Sequence, residues 1–385
     1  MIASDFWRGR RVLVTGHTGF KGGWLALWLD RLGARVTGLA LEPPTEPSLF
    51  AVARVAAGID SRIGDIRSFD TVRSAFEAAR PEIVFHLAAQ PIVRTSYEDP
   101  VGTYATNVMG TVHVLEAARL APSVRALVNV TSDKCYENPG WHWGCREIDP
   151  MGGHDPYSSS KGCAELVASA YRRSYFAEGI ASAGARRMAV ASVRAGNVFG
   201  GGDWARDRLL PDLFRAIADD QPLVVRNPDA TRPWQHVLEP LSAYMQLAER
   251  LAGEPAKFEG AWNFGPREED AQSVASVVGQ LCRIYGAPAR WVATPAAGAP
   301  HEAKFLHLDI TKARRELGYE PRWRLAAGLE ATADWYKAFL GGADMRRLSL
   351  EQIGQFETTP VPGSAGQDMG QDTAQDTAKH VTGAT

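Results

Sequence analysis

Between Arg11 and Arg194 the chain alternates short apolar runs with amphipathic stretches, and this rhythm restricts the fold more than any single motif. Arg11–Thr15, Arg35–Ala40, Ile83–Leu87, Ala126–Val130 and Ala189–Arg194 are apolar or β-branched, and too short for helices. Between them, Trp24–Leu32, Thr71–Ala79 and Thr111–Leu120 space their apolar residues as helices do. Strands alternating with helices predict an α/β fold, a Rossmann-type doubly wound parallel sheet covered on both faces. After Gly196 the pattern loosens into Gly-, Pro- and Arg-rich loops with intermittent helices, which predicts a smaller C-terminal lobe. "AWNFG" (Ala261–Gly265) reads as a late strand returning to the sheet.

A chain of 385 residues, 45% of them hydrophobic, suffices for one large or two moderate cores. A net charge of −2 points away from nucleic acid and anionic membranes as partners. Cys135, Cys145, Cys163 and Cys282 form no CxxC pair, so reduced thiols in a cytoplasmic setting are expected. The N-terminal stretch lacks a signal-peptide layout, and no apolar run is long enough to span a membrane.

"VLVTGHTGFKGGWLALWL" sets Gly16, Gly19 and Gly22 between the first strand and an apolar helix. Glycines let backbone approach a pyrophosphate, and a helix N-terminus offers free N–H groups and partial positive charge. This placement predicts a dinucleotide site. Glu42 is the acid nearest the end of the second strand, and no arginine sits there for a 2′-phosphate, so NAD is expected rather than NADP. His17, inside the turn, has no second ligand spaced to join it on a metal. It is expected to flank the cofactor, and no metal site is expected. The resulting division is 1–195 with 236–265 for an NAD-binding domain, and 196–235 with 266–350 for a substrate lobe. The tail, 357–385, repeats Gly, Gln, Asp, Thr and Ala, which predicts disorder.

"VNVTSDKCYEN" (Val128–Asn138) ends a buried strand in Ser132, Asp133 and Lys134. The residue types alone leave two readings, a surface ion pair or an active site at the carboxyl end of a parallel strand. "HLAAQ" (His86–Gln90) closes the fourth strand with small residues that would let a cofactor lie against backbone. "YSSSK" sets Tyr157 and Lys161 on one face of a helix, and "RAGNVFGGGDW" follows the sixth strand.

Taken with the glycine turn, these motifs resemble the extended short-chain dehydrogenase/reductase family, and within it the nucleotide-sugar 4,6-dehydratases. The resemblance runs from about Arg10 to Arg324. "PTEPSLF", "GGDWARDRLLPD", "RPWQHVLEPL" and "PHEAKFLHLD" are similar to the CDP-glucose type. It implies a lyase acting on CDP-glucose with tightly held NAD, by oxidation at carbon 4, loss of water across carbons 5 and 6, and hydride return to carbon 6. Tyr157 would be the base for the sugar hydroxyl, with Lys161 lowering its pKa and Ser132 bonding the same hydroxyl. Asp133 would protonate the departing hydroxyl, and Lys134, where most such dehydratases carry Glu, would take the carbon-5 proton. Cofactor contacts would come from Gly16, Thr18, Gly19, Phe20, Lys21, Gly22, Glu42, Asp65, Ile66, Leu87, Ala88, Ala89 and Asn107, besides Tyr157 and Lys161. Gln90, Asn197, Arg208, Arg232 and His301 would line the substrate, with Glu302 beside His301. Arg94 stays open between substrate contact and loop anchor, and Trp141 and Trp143 between site cover and packed surface loop. A homo-oligomer pairing through the YxxxK helix and the helix before it is also implied. The alternatives are another nucleotide-sugar dehydratase or 4-epimerase (GDP-mannose, dTDP-glucose or a UDP-sugar), or a non-catalytic dinucleotide sensor.

Overall fold

The computed structural model describes residues 2–138, 140–177, 188–294 and 306–361. Seven strands make one sheet: β1 Arg11–Thr15, β2 Arg35–Ala40, β3 Asp60–Ile63, β4 Ile83–His86, β5 Ala126–Val130, β6 Ala189–Arg194 and β7 Gly260–Asn263. Their order is β7-β6-β5-β4-β1-β2-β3, with every pair parallel. Strand order reverses between β1 and β4, so the loops after Thr15 and His86 diverge and open a crevice at the carboxyl edge. The strands expected from apolar runs are found, Ile83–Leu87 one residue shorter, and "AWNFG" supplies β7. β3 was not among those runs: as an edge strand of sequence DSRI, it needs no apolar face on either side.

Side chains alternate across the sheet with period two. Leu13, Leu39, Val84, Leu127 and Val190 face helices α2 Phe69–Ala79, α3 Gly110–Leu120 and α4 Pro156–Tyr175. Val12, Val14, Phe85, Val128 and Ala191 face α1 Phe20–Arg31 and α5 Leu238–Gly253. This second core continues into the C-terminal third through α6 Leu325–Leu340 and α7 Met345–Thr358. Among the described residues, no helix is long and apolar enough to cross a membrane.

The tail boundary expected at residue 357 is wrong. Glu357 lies inside α7, where its carboxylate accepts from Trp28 Nε1 (2.8 Å) and Arg31 Nε (3.3 Å) of α1. Phe356 sets its ring edge-on to Trp28, and Arg346 bonds Asp30 at 2.6 Å. Arg322 and Trp323 hold Thr359. Composition missed this because the partners lie some three hundred residues away in sequence. The rest of the tail, 362–385, lies outside the described residues. A chain ending at Val361 is therefore expected to melt with the full-length protein. Glu357→Ala should cost about 2 kcal/mol, a charged hydrogen bond's worth, and lower Tm by a few degrees in a thermal scan.

Candidate active site

The crevice is built on the glycine turn. Gly16 has φ +82°, and a Cβ there would come within 2.8 Å of Ala88 N, so the first turn lies directly on the loop after β4. A Cβ on Gly22 would come within 2.1 Å of Gly16 O, which explains the close seat of α1 beneath the turn. Gly19 is the N-cap of α1 and lends no side chain, so the first N–H groups stay free for an anion. Thr18 is buried, its hydroxyl donating to Leu41 O at 2.8 Å, and Glu42 is exposed just past β2. This cradle fits a dinucleotide pyrophosphate.

At the end of β5, Asp133–Cys135 form one 3-10 turn. Ser132 Oγ accepts from Lys134 N (3.2 Å) and donates to Asp133 Oδ1 (3.0 Å). Asp133 is buried, and its Oδ2 has no partner. A Cβ on Gly196 would come within 1.9 Å of that oxygen, so glycine after β6 makes the room it occupies. Burial raises the Asp133 pKa, and the charge of Lys134 works against that rise. Lys134 is half-buried. An exposed surface ion pair is excluded by the burial of Asp133.

Tyr157 and Lys161 stand one turn apart on α4, both buried. Burial raises Tyr157 to about 12, with the Ser132 hydrogen bond and the Arg208 charge opposing it. Burial lowers Lys161 to about 8, and its Nζ donates to Val130 O at 3.3 Å. For Tyr157 the loss of solvation is the largest influence. Lys21 points inward from α1, its Nζ 3.2 Å from Tyr244 Oη. Burial, then the charges of Lys161 and Arg208, bring it down to about 7.

A buried polar chain fixes these parts relative to one another. Ala88 N donates to Thr15 Oγ1 (3.2 Å), which meets His86 Nδ1 at 2.7 Å. His86 Nε2 lies 3.1 Å from Thr111 Oγ1, whose own proton goes to Asn107 O (2.7 Å). Nε2 is therefore the donor, and Nδ1 accepts from Thr15. Burial, then the Lys161 charge, brings His86 down to about 3 and keeps it neutral.

Residues 13–332 match the family model for GDP-mannose 4,6 dehydratase. The chain belongs to that family. A CDP-glucose 4,6-dehydratase from Salmonella typhimurium is 53% identical over 356 residues, 92% of this chain and 98% of its own. A probable dTDP-glucose 4,6-dehydratase from Sinorhizobium fredii is 26% identical, covering 85% of this chain and 92% of its own. The UDP-glucose 4-epimerase of Thermus thermophilus, solved with NAD, superposes with a TM-score of 0.72 at 25% identity, covering 85% of this chain and 99% of that one.

The other residues expected at the site make the following contacts within the chain. Asn107 accepts from Gln90 N (2.8 Å) and donates to Gln90 O (3.0 Å) and Ser160 Oγ (2.8 Å), so it braces the β4 loop against the YSSSK helix. The Gln90 side chain is spent on Ile92 and Thr103. Arg94 pairs with Asp207 at 3.0 Å. Asp65 bonds Arg67, which holds its carboxyl below the ordinary range, and Ile66 packs under Gly110. His17 is buried under Gly38 with Nε2 on Ser61 Oγ (2.7 Å), a packing role beside β2. Trp141 and Trp143 are exposed and pack on each other at 4.9 Å in a surface loop. Leu87, Ala88 and Ala89 follow β4 as expected, and Phe20 and Lys21 open α1. Asn197 takes φ +40° after Gly196, and Arg208 pairs with Asp203 at 2.9 Å. Arg232 lies close enough for its charge to lower the Asp133 pKa. His301 and Glu302 lie outside the described residues.

Proposed function

We propose that this protein is a CDP-glucose 4,6-dehydratase, converting CDP-glucose to CDP-4-keto-6-deoxyglucose and water with NAD as cofactor. The substrate assignment is supported by 53% identity to the Salmonella typhimurium enzyme across nearly both chains. For the reaction, the supporting observation is a buried acid and an adjacent lysine in one turn, hydrogen-bonded through Ser132 to the site of Tyr157. Held by the glycine turn, NAD supplies a hydride acceptor for carbon 4 and a donor for carbon 6. Tyr157 takes the carbon-4 hydroxyl proton, Ser132 holds the same oxygen, and Lys161 keeps a positive charge beside it. The resulting ketone acidifies carbon 5, whose proton Lys134 removes and exchanges with solvent before carbon 5 is reprotonated. Asp133, whose pKa burial raises, donates to the hydroxyl leaving carbon 6. Arg208 and Arg232 offer forked donors to the diphosphate, with Asn197 beside them.

The test is incubation with CDP-glucose, dTDP-glucose, GDP-mannose and UDP-glucose, followed by the alkali-induced absorbance of a 4-keto-6-deoxy sugar. Product from CDP-glucose alone is expected; product from another nucleotide sugar at a higher rate would contradict the assignment. Cofactor-stripped protein should recover with NAD and not with NADP, because Glu42 and no arginine follows β2; equal rescue by NADP would overturn that choice.

The division into an NAD-binding domain (1–195 with 236–265) and a substrate lobe (196–235 with 266–350) belongs to the same reading. So does a cytoplasmic setting, which suits the four unpaired thiols. We place a homodimer contact on α4 and the helices before it, where Tyr104, Met109, Leu120, Leu166 and Tyr175 are exposed.

A further inference from the structure

Glu165 lies one turn beyond Lys161 on α4, in line with Tyr157, yet its carboxylate faces the sheet and not the substrate. It accepts from Arg194 twice, Nε to Oε1 and Nη2 to Oε2, each at 2.9 Å. The pair is almost wholly out of solvent, at 4% and 5% side-chain exposure. Glu165 also accepts from the hydroxyl of Thr131, the residue just before Ser132. Arg194 Nη1 donates to the hydroxyl of Tyr136, the residue just after Cys135. Tyr136 in turn donates to Asn263 Oδ1 at the end of β7 (2.7 Å). Asn263 Nδ2 is itself held by Cys145 O (2.8 Å) and Asp309 O (3.1 Å). Backbone bonds such as Thr131 N to Val193 O and Gly152 N to Cys135 O (2.9 Å each) tether the Ser132–Cys135 turn, and the side chains at both its ends meet one ion pair rooted in the helix carrying Tyr157 and Lys161.

A buried ion pair contributes little stability over an apolar pair of the same volume, because desolvation offsets the attraction. What it supplies is direction. Apolar packing sets the distance between layers, and the backbone bonds hold the path of the turn, but neither fixes how its side chains are aimed. Side-chain hydrogen bonds on Thr131 and Tyr136 add that aim.

We propose that Glu165, Arg194 and Tyr136 form a clamp that registers the carbon-5/6 groups, Asp133 and Lys134, against the carbon-4 groups, Tyr157 and Lys161, with Tyr136 a positioning residue for the dehydration step. The inference rests on the dehydratase reading above. Tyr136→Phe keeps the ring in the core and removes only the link from Arg194 to Asn263. The Glu165–Arg194 pair still anchors α4, so the carbon-4 groups keep their places while the turn loosens on one side.

The experiment mixes NAD-loaded protein with CDP-glucose in deuterated water. It follows NADH absorbance, deuterium at carbon 5 and 4-keto product separately, with Tm measured in parallel. For Tyr136→Phe, NADH should form near the parent rate. Carbon-5 exchange and product formation should fall roughly 10- to 100-fold, the scale of a misplacement near 1 Å. Tm should drop by a few degrees at most. Asn263→Ala, which removes the acceptor of the Tyr136 hydroxyl from outside the site, should show the same step-selective loss and serves if Tyr136→Phe fails to fold. Parent-level product, or equal loss in NADH formation and dehydration, overturns the clamp while the dehydratase reading stands. A parent protein that makes no 4-keto product overturns both.

Discussion

Replacing Tyr157 with phenylalanine is expected to leave the fold intact and lower turnover by about 10²–10⁴-fold, the usual cost of losing a general base. The ring remains to fill its buried place on α4, so a melting scan should differ little from the parent. What is lost is the oxygen that Ser132 and Arg208 favour as an anion. No NADH should appear on mixing with substrate, because carbon-4 oxidation stalls at proton removal. In the parent, burial holds Tyr157 at about 12 and Lys161 at about 8, so tyrosinate beside ammonium is a minor form near neutrality. That form grows with pH as Tyr157 ionises. Above about 8, Lys161 loses its proton at the same pace, so the fraction stops growing. The sign is therefore a kcat/KM that climbs with pH up to about 8 and then levels off. A near-native rate for Tyr157→Phe would remove it from the mechanism.

The second large effect separates oxidation from dehydration. Asp133→Asn and Lys134→Ala should each let NADH form on the enzyme and nearly abolish product, since each group serves only carbons 5 and 6. The two variants should differ at carbon 5. Lys134→Ala blocks exchange with solvent deuterium, whereas Asp133→Asn permits it, because the base survives and only the acid is gone. Gly196 leaves Asp133 Oδ2 buried without a partner, so asparagine fits the same space. Removing Lys134 also removes a charge that lowers the Asp133 pKa. Parent-rate dehydration by Lys134→Ala would mean the lysine has no part in the chemistry.

Much of this was legible in the sequence because the central strands are buried on both faces and must read as apolar runs. β4, β5 and β6 have every residue buried, and each was marked by composition alone. β3 escaped because an edge strand can be polar. The glycine turn and YxxxK were legible because backbone geometry and helix periodicity fix what those residues can do. Contacts between distant segments were not. The side chains of Asn107, Gln90 and Arg94 bond Ser160, Thr103 and Asp207, partners that no local pattern marks. Glu165 left one usable signal, its spacing of four from Lys161, but its partner Arg194 comes from another strand. The depressed lysine at position 21 depends on how α1 seats under the turn, which no local pattern reveals.

In the proposed reaction, hydride removed from carbon 4 returns to carbon 6 of the same sugar while water leaves across carbons 5 and 6. CDP-glucose carrying deuterium at carbon 4 tests it directly, with the product read by NMR and mass spectrometry. The account predicts CDP-4-keto-6-deoxyglucose with that deuterium in the carbon-6 methyl group, and a solvent-derived hydrogen at carbon 5. Deuterium retained at carbon 4 in an epimerised sugar, or lost to free NADH with no deoxy product, would contradict it.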